Sequence, residues 1–339
     1  MSNTIYGLSK KRLTVLFGTL IVFNIATWLY LMGLYSTTDA SLLGIGALAY
    51  WFGLRHAFDA DHIAAIDNVT RKLRQNGQKP VAVGFFFSLG HSTVVILLSL
   101  GLVLGVRATK SHMPFLEHWG RTIGTMVSAG FLTLIGLLNL VIFYKLWQSF
   151  MNYKSNGIIN NEEIEELLNK RGLISRIFRF FYHYIDRSWK MYPVGFLFGL
   201  GFDTATEVAV LGISAAMAQS GNLPIWDIMI FPLLFTAGMS LLDSSDGVIM
   251  LKAYDWAMVD AIRKIFFNMT ITGASVFVAL LVGTIEWVQV VSSHFGWNGS
   301  VFIFLNTLDF AVLGVFVVGF MLFIWFLAYL YYSRVLKSV

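Results

Sequence analysis

The chain has 339 residues, 57% of them hydrophobic and only 13% charged, against about 25% charged in an ordinary soluble domain. Its formal net charge of +5 comes from Lys and Arg lying between apolar runs, so it is not a nucleic-acid footprint. The lack of cysteine excludes disulfides, iron–sulfur clusters and thiolate metal sites. Repeated apolar runs of roughly 20 residues identify an all-α polytopic membrane protein.

In chain order, the apolar runs predict eight transmembrane helices at about 13–35, 42–66, 81–106, 122–146, 193–218, 228–251, 266–291 and 303–332. The first run is too long for the core of a cleavable signal peptide, and no small-residue cleavage site follows it. Pro80 and Pro193 stand at predicted helix starts, where a missing N–H costs little. With the N-terminus inside, the inner segments collect Lys10, Lys11, Arg12, Arg71, Lys72, Arg74, Lys79, most of the cations of 148–192, Lys252, Arg263, Lys264, Arg334 and Lys337. The outer segments hold only Arg107, Lys110 and Arg121. Both termini are therefore expected in the cytoplasm.

Residues 1–339 read as a single integral membrane domain whose two halves are joined by a cytoplasmic loop at 148–192. Within it, NNEEIEELLNKRG (160–172) reads as a short helix, acidic at its start and basic at its end. RIFRFFYHYIDRSWK (176–190) reads as an amphipathic helix lying on the inner leaflet. The outer segment at 107–121 reads as a loop, and its His112, Glu117 and His118 as solvated groups.

Polar groups are concentrated in four spans. Span 2 carries Arg55, His56, Asp59, Asp61, His62 and Asp67 in RHAFDADHIAAIDNVTRK. Span 3 carries Ser88, His91, Ser92 and Thr93 in SLGHSTVV. Span 5 carries Asp203, Thr204, Thr206 and Glu207 in GLGFDTATEV, and span 6 carries Ser240, Asp243, Ser244, Ser245 and Asp246 in GMSLLDSSDG. The other spans hold isolated polar residues such as Asn24, Asn139, Asn268 and Asp309. Ionisable groups in a membrane span are costly and mark functional sites by default, so spans 2, 3, 5 and 6 are expected to build one central site. FGLRHAFDADH in span 2 is also similar to FGLGFDTATE in span 5. A three-helix unit, spans 2–4, repeated upside down as spans 5–7 would fit a secondary transporter.

The chemistry follows from residue type. Two His and two Asp lie within seven residues, with His91 on the next span. Imidazole and carboxylate without thiolate suit a divalent cation of the Ni, Co, Zn or Mn kind. His56 and Asp59 are i,i+3 neighbours, as are Asp59 and His62, whereas His56 and His62 differ by about 240° of helix rotation. Either Asp59 lies between the two imidazoles, or the helix unwinds so that His56, Asp61 and His62 converge. Irregular backbone is tolerated at membrane depth where it lines a cavity. Asp59 and His91 join that set as candidate ligands. Ser88, Ser92 and Thr93 read either as groups orienting a ligand or as ordinary helix-to-helix hydrogen bonding. Asp203, Thr204, Glu207, Asp243 and Asp246 supply more carboxylate than one divalent ion needs, which fits proton coupling, a second transient site or an electrostatic funnel. Arg55 reads as the neutraliser of an aspartate, and Asp67 as a helix-end or gating group near the inner surface. There is no GxxxxGK[ST] loop, so no ATPase is expected in this chain.

RHAFDADHIAAIDNVTRK resembles the signature of the nickel/cobalt transporter (NiCoT) family, whose second helix carries an H-x4-D-H motif, here His56, Asp61 and His62. LGHSTVV (Leu89–Val95), LGFDTATE (Leu200–Glu207) and GMSLLDSSDG (Gly238–Gly247) are similar to the family's motifs on helices 3, 5 and 6. Ser244 stands where the sixth-helix motif usually has Thr, which keeps the hydroxyl. The resemblance implies a high-affinity permease that brings Ni²⁺ or Co²⁺ across the cell membrane, with the second-helix motif essential and no permanent cofactor. Nickel supply to enzymes such as urease or hydrogenase is the family's usual purpose. Its partners would be the metal ion and the bilayer, with no nucleic acid. The alternatives are an efflux transporter, against which the single histidine of the long loop (His183) argues, and a membrane-embedded metalloenzyme. A metal-sensing receptor would want an appended signalling domain.

Overall fold

The computed structural model describes residues 4–5, 8–37, 41–156, 185–200, 205–220, 223–257 and 261–336. These are helical apart from one short hairpin, β1 (Thr4–Ile5) against β2 (Leu8–Ser9). The helices are α1 (Lys10–Thr37), α2 (Ser41–His56), α3 (Ala60–Gln75), α4 (Val83–Leu104), α5 (Val106–Asn156), α6 (Met191–Gly199), α7 (Ala205–Ser220), α8 (Ile225–Ile228), α9 (Ile230–Ala257), α10 (Ala261–Phe295), α11 (Ser300–Asn306) and α12 (Phe310–Tyr331). Among the described residues, six stretches are long and apolar enough to cross a membrane: Lys10–Tyr35, Val83–Leu104, Thr125–Asn152, Ile225–Asp255, Phe266–Phe295 and Phe310–Arg334. The chain is an integral membrane protein.

The expected span at 42–66 is not one helix. α2 ends at His56, and Ala57–Asp59 turn on backbone bonds from Phe58 N–H to the Arg55 carbonyl (3.1 Å) and from Asp59 N–H to the His56 carbonyl (2.9 Å). Asp59 has extended backbone and heads α3, whose first turn contains Asp61. Asp59 makes no side-chain cap, its carboxylate turning back to His56, while Asp61, favoured in a first turn, accepts from the His62 N–H, so the DAD triplet starts a new helix. The expected span at 193–218 is likewise divided into α6 and α7. The expected span at 303–332 is interrupted between α11 and α12, where Asp309 caps the second piece.

Two connections also differ from expectation. The segment at 107–121 is helical, because α5 begins at Val106 directly after Gly105. α5 also continues to Asn156, past the expected loop start at 148. The helix expected at 160–172, and residues 176–184 of the one expected at 176–190, lie outside the described residues. The end of the second, Ser188–Lys190, is a single 3-10 turn, with Lys190 2.8 Å from Asp186. That ammonium holds the exposed Asp186 carboxyl below the usual carboxylate range.

The two pieces of span 2 belong to different cores. α2 packs with α1, α7 and α9 through Leu31, Ala49, Val210, Phe231 and Phe235. α3 packs with α4, α5, α6, α10 and α12 through Ile66, Phe87, Leu132, Phe198, Val282 and Val317. The turn at 57–59 is therefore the seam between two hydrophobic clusters, both of which α4 enters. α5 lies along α10, α2 along α9 and α6 along α4. The last pair meets backbone to backbone. Gly90 lies against the Tyr192 carbonyl and Gly195 against the Phe87 carbonyl, and a Cβ at either would overlap that oxygen.

Gly195→Ala is accordingly expected to destabilise the protein by about 1–3 kcal/mol through overpacking. A lowered thermal midpoint of the purified protein in detergent would show it. A midpoint equal to wild type would mean that α4 and α6 do not make this contact.

Candidate metal centre

Four elements converge on the seam. α2 contributes its last residue, His56, and α3 contributes His62 from its first turn. α4 contributes His91, and α7 contributes Glu207 from its own first turn. The three imidazoles are at most 2% exposed, and Glu207 is equally buried. Their ring centroids stand 4.6–4.8 Å apart, and one nitrogen of each lies within 4.8 Å of the others. His56 Nε2 and His91 Nε2 are 3.0 Å apart, and His91 Nε2 is 2.7 Å from Glu207 Oε1, which lies 3.9 Å from His56 Nε2.

These separations have a chemical reading. Metal–nitrogen bonds of about 2.0–2.1 Å put neighbouring ligand atoms roughly 2.9–3.4 Å apart, a range that the measured distances bracket. The other side of His56 is anchored. Its Nδ1 lies 2.8 Å from Asp59 Oδ2 and 3.3 Å from Thr206 Oγ1. With the ring proton on Nδ1, beside the Asp59 carboxylate, the Nε2 lone pair faces the cluster, the usual arrangement of a carboxylate behind a metal-binding histidine. Position on the helices helps as well, since the carbonyl end of α2 favours a cation.

On the opposite side of the cluster, Asp243 of α9 places Oδ2 3.5 Å from His62 Nδ1. Neither ring nitrogen of His62 and neither carboxylate oxygen of Asp243 has a hydrogen-bond partner among the described residues. Both side chains are 1% exposed. Unpaired buried polar atoms are expensive, and a divalent cation would satisfy this set. Phe87, edge-on to His62 at 4.8 Å, and Phe235, 5.5 Å from His56, wall the cluster off with apolar surface.

The other sequence candidates separate into groups. Asp61 accepts from the His62 backbone N–H (2.9 Å) at the start of α3, so the turn unites the two histidines while this oxygen of Asp61 serves the helix end. Ser92 is buried in α4 beside His91, its hydroxyl without a hydrogen-bond partner among the described residues. Ser88 bonds back to the Phe85 carbonyl (3.1 Å), and Thr93 to the Leu89 carbonyl (2.8 Å) and to Tyr192 of α6 (3.1 Å), which is the helix-packing alternative. Asp203 and Thr204 lie outside the described residues. Asp246 stands one turn beyond Asp243, with Oδ2 buried and without a hydrogen-bond partner among the described residues; the adjacent Gly247 packs near Ile66 and Thr70 of α3. Arg55 turns to Asp309.

Asp67 is not a surface helix-end group. It is 3% exposed and accepts from Tyr254 of α9 and from Ser275 of α10 (2.5 Å). Beside it, Asn68 accepts from Arg71 and from Asn139 of α5, each at 2.8 Å. This second buried network ties α3 to α5, α9 and α10. Thr206 had a visible signal, being next to Glu207 in the span 5 motif. Tyr254, Ser275 and the two phenylalanines had none, because one aromatic or serine among many in apolar helices carries no mark.

Residues 42–331 match the profile of the NicO family, described as high-affinity nickel-transport protein. A high-affinity nickel transport protein of Cupriavidus necator is 44% identical over 322 residues, covering 92% of this chain and 90% of its own. The nickel transporter NicT of Mycobacterium tuberculosis is 44% identical over 347 residues, 99% of this chain and 93% of its own. A cobalt transport protein, NhlF, of Rhodococcus rhodochrous is 40% identical over 281 residues, 81% of this chain and 79% of its own. No solved structure matches the chain.

Asp243→Asn is expected to weaken divalent-ion binding by about 10- to 100-fold, and His91→Ala by at least as much. Calorimetric titration of the purified variants with Ni²⁺ measures both. Wild-type affinity in the two variants would place the ion elsewhere.

Proposed function

We infer the activity from two premises: the chain belongs to the NicO family of high-affinity nickel-transport proteins, and its broken spans gather three buried histidines with Glu207 and Asp243. It is a transporter and not an enzyme. Its substrate is a divalent metal ion, nickel or cobalt, which passes through and is not a resident cofactor. The observation that carries the reading is the cluster of unpaired imidazole and carboxylate atoms at the seam of the two cores. In this reading His56, His62 and His91 are the nitrogen ligands and Glu207 is an oxygen ligand. Asp59 orients His56, Asp243 takes part from the far side, and Asp246 and the Asp67 network line the way onward along α3.

The finer architecture is part of the same proposal. Six apolar helices and two spans broken into α2–α3 and α6–α7 make eight crossings. The Lys and Arg bias of the connecting segments puts both termini in the cytoplasm. Spans 2 and 5 are both broken, span 2 lies along span 6 and span 5 along span 3, and spans 4 and 7 pair. That exchange of partners supports an inverted repeat of spans 2–4 and 5–7, with the site at the interface. The direction is inward across the cell membrane. A doubly charged ion gains about 4.6 kcal/mol from 100 mV, negative inside, so the potential is a sufficient driving force without an ATPase subunit. One domain spans residues 1–339, with the segment between α5 and α6 as its cytoplasmic connector.

Cells expressing the chain should accumulate radioactive nickel above empty-vector cells, with excess unlabelled Co²⁺ blocking the signal and Mg²⁺ leaving it intact. Accumulation at or below the control would refute uptake and favour export.

A further inference from the structure

Arg55 immediately precedes His56, yet its guanidinium leaves the metal centre and pairs with Asp309. Asp309 serves two elements at once. Its Oδ2 holds Arg55 Nη2, while Oδ1 accepts from the backbone N–H groups of Ala311 (2.9 Å) and Val312 (3.4 Å) and so caps α12. The contact continues along the helix. Gly314 sits against the carbonyl oxygen of Phe58, in the turn between the two histidines, and a Cβ there would overlap that oxygen. The side chains of the pair are 37% and 43% exposed, whereas the neighbouring exposed residues of α12 are Val312, Val315 and Phe316. A charged pair open to the surroundings on an otherwise lipid-compatible helix must meet water.

We propose that Asp309 is a positioning residue of the transport site: it neutralises Arg55 and holds that cation aside from the path of the metal ion, while seating α12 on the 57–59 turn. This rests on the reading that the His56–His62–His91 centre is the transport site. The electrostatic sense is definite. Without Asp309, a fixed positive charge one residue from His56 repels an arriving dication. Without Arg55, Asp309 remains as an attractive charge. The pair is therefore asymmetric, which a merely structural latch would not be.

The test measures the concentration dependence of nickel uptake, normalised to transporter in the membrane. Asp309→Asn keeps a good helix cap and loses the charge. It should raise KM about tenfold or more, equivalent to about 1.4 kcal/mol, with Vmax within about twofold. Arg55→Gln should move KM by less than about threefold, and the double variant Asp309→Asn with Arg55→Gln should return to the Arg55→Gln value. Asp309→Glu, which retains the charge, should stay within about threefold of wild type and provides the comparison if the Asn variant is not inserted. An unchanged KM in Asp309→Asn, a double variant as impaired as Asp309→Asn, or equal loss in Arg55→Gln would overturn the proposal. Wild-type protein that accumulates no nickel would instead remove the uptake reading on which it rests.

Discussion

Three imidazoles and two carboxylates packed within a few ångströms in an apolar interior form an arrangement that hydrogen bonding alone does not complete. His62 and Asp243 face each other with unpaired atoms, and His56 and His91 point the same kind of nitrogen at one another across 3.0 Å. Only protons or a cation can occupy such a space at reasonable cost. The surrounding fold is arranged to keep this set together. Phe87 and Phe235 exclude solvent from two sides, and Asp59 anchors the far nitrogen of His56.

Bringing the two histidines of span 2 together required a break in the helix. On a straight helix they would point in directions about 120° apart. The turn at 57–59 cancels that rotation, at the cost of leaving backbone groups without helical partners in a membrane interior. Those groups are satisfied locally, by the Phe58 and Asp59 N–H bonds. The turn also divides the helix between two hydrophobic cores.

The second polar layer has a different character. Around Asp67 and Asn68, three bonds join α3 to other helices, and Asn68 also bonds within α3 to Ala64 and Arg71. These bonds tie α3 to three neighbouring helices, while its first turn carries His62 at the seam. α12, by contrast, is mostly lipid-facing and touches the site chiefly through Asp309 and Gly314.

Composition and hydropathy alone determined a helical membrane protein, and the placement of ionisable residues marked four of the expected spans as the chemical ones. Residue type, with imidazole and carboxylate but no thiol, restricted the substrate to a divalent cation, and four ordered motifs pointed to the family. The ligand set was not legible, because the hydropathy of span 2 is continuous through a turn that a DAD helix-start signal makes. Periodicity extrapolated across that turn mispairs His56 and His62. Glu207 and Asp243 were visible as costly charges, but which carboxylate faces which imidazole depends on helix rotation and on close approaches such as Gly90 to Tyr192. Those are properties of packing between segments more than a hundred residues apart, and only the tertiary structure decided them.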